Sequence, residues 1–150
     1  MSLQDKIMVE LKAAMKAKDS VKLEALRAVK SAILLANTET SGKDGLSEEE
    51  ELKLLQKLVK QRKDSAQIYM EQNRKDLVEP ELEQAEVIEA FLPEQMTEAE
   101  IEAKVDEAIA KTGASGMQDM GKVMGMVSSQ LAGQADGKTI SVIVKRKLSS

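Results

Sequence analysis

An all-α protein is the expectation for this chain, on three grounds. It has one Tyr, one Phe and no Trp, so its core must come from Leu, Ile, Val, Ala and Met; aliphatic cores of this kind suit helix-on-helix packing better than sheets. Apolar residues recur at steps of three and four along nearly the whole chain. Helix start signals, Ser, Thr or Asp followed three residues later by a carboxylate or amide, recur between those runs.

Taken in order, Ser2 precedes Leu3, Ile7, Leu11 and Met15, a first helix ending near Lys18. Asp19 or Ser20 caps a second, with Leu23, Leu26, Val29 or Lys30, Ile33 and Ala36 on one side. Ser41 to Gly45 is rich in turn formers and reads as a flexible break. Ser47 and Glu50 form a capping box for a long third helix, from Glu48 to about Asn73, whose face runs Leu52, Leu55, Val59, Arg62, Ala66 and Tyr69. The basic middle of that helix, Lys60, Arg62 and Lys63 beside Asp64, reads mostly as a solvated surface.

Asp76 and Glu79 repeat the box signal and open a fourth helix, with Val78, Leu82, Ala85, Ile88 and Leu92 on its face. Pro80 falls in or near its first turn, where a missing N–H matters least. Pro93 closes it, because the residue before a proline is disfavoured in the α region. A domain boundary is placed there, giving a four-helix unit over 1–93 and a three-helix unit over 94–150.

Thr97 and Glu100 open the fifth helix, with Ile101, Val105, Ala108 and Ile109 on its face and Gly113 as a left-handed cap. Ser115 and Gln118 open the sixth, with Met120, Val123, Met124, Val127 and Leu131, and Gly133 closes it. Asp136 opens the seventh, with Ile140, Ile143, Val144 and Leu148. The β-branched run from Thr139 to Val144 also suits a strand, but the helical spacing prevails.

Composition excludes most enzyme mechanisms. With no His and no Cys, the chain has no Ser-His-Asp triad, thiol nucleophile, Cys/His zinc site or disulfide. No apolar run is long enough to cross a membrane, and the first residues lack the features of a signal peptide. The cytoplasm is the expected location, with no metal and no cofactor. The net charge is −4, unevenly spread. Residues 1–92 carry 15 basic and 18 acidic groups, residues 93–109 carry 1 and 6, and residues 110–150 carry 6 and 2. The last segment is therefore the basic one.

Six of the eight glycines lie between Gly113 and Gly137, and four of the nine methionines between Met117 and Met126. Glycine inside a helix costs about 0.5–1 kcal/mol relative to alanine, so Gly121 and Gly125 call for a reason. Four apart, they share a helix face. That face either approaches a rigid partner such as an RNA backbone, with Lys122 on the phosphates, or packs against the fifth or seventh helix. Met120 and Met124 fall on the core stripe; Met117 and Met126 fall off it and are the candidates for an exposed contact. Free N–H groups at Gly137 and Lys138 suit a phosphate, although Asp136 competes for them as a cap. Lys145, Arg146 and Lys147 suit equally the negative end of a helix dipole and phosphate contacts. Without aromatic neighbours there is no stacking platform, so RNA recognition would run through backbone and shape.

Several runs together resemble the GatB/YqeY family, in particular its stand-alone YqeY-like members: Lys60-Gln-Arg-Lys-Asp-Ser65, Leu92-Pro-Glu-Gln-Met96, Gly113-Ala-Ser115, Asp119-Met-Gly-Lys-Val-Met-Gly125 and Ala135-Asp-Gly137. The resemblance covers essentially the whole chain in order. It implies a larger N-terminal helical domain and a three-helix C-terminal domain similar to the tail of the B subunit of the aspartyl/glutamyl-tRNA amidotransferase. In that enzyme the tail is associated with tRNA recognition, while the kinase and transamidation chemistry belongs to a cradle domain absent here. The carbon–nitrogen ligase activity with glutamine as amide donor, often attached to the family, therefore belongs to the larger subunit. The resemblance implies association with tRNA, with the amidotransferase or with another protein partner. From the residues themselves, the contacts expected for tRNA are Lys122, Lys138, Lys145, Arg146 and Lys147 on phosphates, with Gly121 and Gly125 permitting close approach.

Overall fold

The computed structural model describes residues 2–39 and 45–149, and over these the chain is all-α. Seven α-helices follow in order: α1 Leu3–Ala17, α2 Ser20–Glu39, α3 Glu48–Glu71, α4 Lys75–Glu89, α5 Glu98–Thr112, α6 Met120–Gln130 and α7 Gly137–Ser149. A 3-10 turn, Met117–Asp119, leads into α6. The break expected over Ser41 to Gly45 lies outside the described residues apart from Gly45.

Three capping boxes form in full, the expected pairs at Ser47 and Thr97 and a third at Ser2, where only a helix start was expected. Ser2 with Asp5, Ser47 with Glu50 and Thr97 with Glu100 each exchange side-chain and backbone hydrogen bonds at 3.1–3.3 Å. Each pairing satisfies two of the N–H groups a helix start leaves without partners. Gly113 ends α5 at φ +68°, as a left-handed cap. Lys18 does the same for α1 at φ +56°, a conformation less natural to a side-chain-bearing residue.

Two start signals are used differently from the expectation. Asp76 does not pair with Glu79: Arg74 is the residue before α4, and its guanidinium donates to both oxygens of Asp76 at 3.1 and 3.0 Å. Pro80 is then the sixth residue of α4, past the first turn, so the Asp76 carbonyl loses its usual i+4 donor. Ser115 is not the cap of α6. Its backbone N–H donates instead to Oδ2 of Asp119 at 3.0 Å, and the 3-10 turn fills the gap between them.

The chain divides into two compact units, Met1–Leu92 and Pro93–Ser150. In the first, α3 packs on α4, and α2 packs on both α1 and α4. Its core joins Ile7, Ala14, Leu26, Val29, Ile33, Leu55, Val59, Ala85 and Ile88. Met15 is 54% exposed, against the expected stripe. Four-residue steps drift 40° each round a helix, so by Met15 the stripe has rotated away and Ala14, seven residues after Ile7, replaces it. Leu82 likewise faces out, and Gln84 takes the inward position. In the second unit α5, α6 and α7 pack on one another around Ile101, Val105, Val123, Val127, Leu131, Ile140, Ile143, Val144 and Leu148. The β-branched run from Thr139 to Val144 is helical.

Candidate functional site

The sixth helix buries Val123 and Val127 and turns Gly121, Lys122, Gly125 and Ser129 to solvent. A methyl group added at Gly121 or at Gly125 would meet no atom within 4 Å. Packing within the second unit therefore does not account for either glycine. Met120 and Met124 are half-buried against the core, as expected. Met117 is 41% exposed, whereas Met126, expected outside, also packs on the core; about 140° round the helix from Gly121, it reaches the rim of the apolar stripe.

On α7, Lys138, Val142, Lys145 and Ser149 lie within about 60° of one another and are all exposed. Val142 is 58% exposed between the two lysines. The Asp136 carboxylate accepts from the Lys138 N–H at 3.4 Å, so the start of α7 is occupied by its own cap. Among the described residues, the ammonium groups of Lys122, Lys138 and Lys145 stand in none of the ion pairs.

Arg146 and Lys147 are placed differently. Lys147 reaches Glu102 at 2.8 Å and Asp106 at 3.3 Å, and Arg146 reaches Glu102 at 3.5 Å and Glu98 at 3.9 Å. The basic end of α7 thus lies along the acidic face of α5. The Lys147 ammonium holds the Glu102 carboxyl below the usual glutamate range, and Glu102 and Asp106 push the Lys147 ammonium up. Of the seven expected residues, then, Gly121, Lys122 and Gly125 share one α6 face and Lys138 and Lys145 one α7 stripe, while Arg146 and Lys147 tie α7 to α5.

In the first unit, the basic middle of α3 is not uniformly solvated. Lys60 pairs with Asp64 at 3.1 Å and Lys63 with Glu89 at 2.6 Å, but Arg62 is half-buried. Its Nε donates to Oε1 of buried Gln84 and its Nη1 to the Leu58 carbonyl, each at 3.1 Å. The place of Arg62 on the apolar stripe was the available signal. A cleft of about 510 Å³ is lined by Glu10, Asp19, Lys22, Glu83, Glu86 and Phe91, with Lys22 held to Glu10 at 3.0 Å. Among the described residues no three carboxylates converge as a metal site. No helix among them is long and apolar enough to cross a membrane.

Comparison with known proteins places these features in a family. The chain is 38% identical over 104 residues to Altered inheritance of mitochondria protein 41, mitochondrial, from Lachancea thermotolerans, covering 68% of this chain and 55% of that one. The protein of the same name from Pyrenophora tritici-repentis is 30% identical over 134 residues, 87% of this chain and 71% of that one. The E subunit of the glutamyl-tRNA(Gln) amidotransferase from Thermococcus gammatolerans is 37% identical over 73 residues, 46% of this chain and 12% of that one. The chain thus spans about half the length of the first of these relatives and a small part of the amidotransferase polypeptide. The profile of the Yqey-like protein family matches residues 4–148, nearly the whole chain, and this protein belongs to that family.

Proposed function

We propose that this protein is a non-catalytic binding module that associates with tRNA in the setting of tRNA amidation. The observation that carries the reading is the α6 face of Gly121, Lys122 and Gly125, two helical glycines turned to open solvent beside a lysine that stands in none of the described ion pairs. Such a face lets a rigid backbone approach a helix closely, and Lys138 and Lys145 add cations within the same unit. The relationship to part of an amidotransferase named for glutamyl-tRNA(Gln) supports tRNA as the polyanion. With no aromatic residue in the second unit, recognition runs through phosphate and shape. The test is filter binding of purified protein to bulk tRNA across a salt series. Three lysine–phosphate contacts predict a slope of log affinity on log salt of about −2 to −3, at about 0.7–0.9 per contact. Charge reversal at Lys122 and Lys145 is expected to weaken binding at least tenfold; unchanged binding overturns the assignment.

A second reading, a protein-interaction adaptor, draws on the exposure of Met117 and Val142. A protein partner recovered after nuclease treatment, with no tRNA binding by the pure chain, favours it. Glutamine-dependent amidation by the isolated chain would assign it to carbon–nitrogen ligase chemistry instead. A fluorescent fusion separates the cytoplasmic expectation from the mitochondrial location in the names of two relatives.

A further inference from the structure

The first unit carries an apolar groove of about 210 Å³ between α1 and α2, lined by Gln4, Ile7, Met8, Lys30, Ile33 and Leu34. Ile7 and Ile33 are buried and form its floor, while Met8 and Leu34 stand 38% and 53% exposed at its lips. Met8 and Leu34 thereby continue the buried floor into an apolar face open at the surface. The stripe extends beyond the groove. On α1, Gln4, Met8, Lys12 and Met15 lie within about 40° of Met8, and on α2 Arg27 and Lys30 lie within about 40° of Leu34. At 1.5 Å per residue the α1 stripe is roughly 16 Å long, three helical turns.

Charge distinguishes the kind of occupant. No carboxylate lines the groove, and Lys30, Arg27 and Lys12 follow its edges, although the chain as a whole is acidic. We propose that this groove receives an amphipathic helix with acidic flanks from a protein partner, with two or three apolar side chains seated between Met8 and Leu34. The unbranched Met8 thioether adapts to the anchors, and the lysine and arginine edges set orientation and on-rate. The shape is concave with a recessed floor, which fits an inserted helix ridge better than the flat plane of a membrane surface. This proposal is independent of tRNA association, which involves the other unit.

The test uses the full-length chain, carbon-13 labelled at its methionine methyls, and a labelled 18-residue helical peptide. The peptide has Leu at positions i, i+4, i+7 and i+11 and Glu on both flanks; its control replaces every Glu with Lys. Expected are micromolar binding of the Glu peptide by anisotropy, at least tenfold weaker binding of the Lys peptide, and methyl shifts at Met8 and Met15 but not at Met117. Leu34→Glu is expected to lower the affinity at least tenfold without changing the melting temperature, since Leu34 is exposed. Arg27→Glu with Lys30→Glu should reverse the preference between the two peptides. Equal binding of the peptides, or binding that survives Leu34→Glu, overturns the proposal. So does concentration-dependent dimerisation abolished by Leu34→Glu, which makes the occupant a second copy. Co-sedimentation with phosphatidylglycerol vesicles in the absence of peptide binding makes it a lipid surface and also overturns the proposal.

Discussion

At the residue scale, glycine at two nearby positions does opposite things. Gly113 sits at φ +68°, where an L side chain is strained, whereas Gly121 is helical with free space around it. Gly113→Ala is therefore expected to destabilise the second unit by about 1–2 kcal/mol, and Gly121→Ala to stabilise it by about 0.5–1 kcal/mol. Thermal melts of the two variants check the signs. If Gly121→Ala gains stability and loses tRNA affinity together, the glycine is kept for contact at the expense of folding. Arg62 is a second case. Its guanidinium satisfies Gln84, so Arg62→Ala leaves a buried amide oxygen without its donor and is expected to cost about 1–3 kcal/mol in denaturant unfolding. Lysine should rescue only part of that, because it lacks the fork that addresses Gln84 and the Leu58 carbonyl together.

At the element scale, local chemistry placed most helix starts and stops. Serine or threonine followed by an acid three residues on was decisive at Ser2, Ser47 and Thr97, and Thr97→Ala is expected to cost about 1 kcal/mol on melting. The corresponding signal with aspartate in the cap position misled at Asp76, where Arg74, two residues earlier, offered the carboxylate a charged partner stronger than a backbone N–H. The start signal misled again at Ser115, where Asp119 folded back onto the chain. The α5–α7 ion pairs add a pH dependence with a definite sign. Glu102 is depressed by Lys147 and Arg146, so its contribution is present above the ordinary glutamate pKa of about 4.3 and fades as pH falls through its lower folded value. Lys147 is raised, so its contribution holds below the ordinary lysine range and fades only as pH rises through its higher folded value. Glu102→Gln is expected to flatten the acid limb of a melting-temperature profile, and added salt to lower the wild-type plateau toward that of the variant.

At the scale of the whole molecule, the two units have separate cores and unequal size. A unit on the order of 60 residues buries a smaller share of its surface than a larger one and is correspondingly marginal. Calorimetry of the intact chain is expected to show two transitions, the lower belonging to Pro93–Ser150. Thr97→Ala should move that lower transition alone; a single transition shifted as a whole would contradict independent folding.

The helical class, the order of the helices and most of the second-unit core were written in the sequence, because periodicity and capping are local properties of a chain. Whether a given side chain faces a neighbour or water is a property of two helices at once. Only the tertiary structure could turn Gly121 and Gly125 to open solvent, draw Arg62 inward to Gln84, bring Arg146 and Lys147 onto α5, and leave Met8 and Leu34 at the lips of a groove. The residues along a helix fix its stripe; the angle at which the next helix meets that stripe decides what remains to bind.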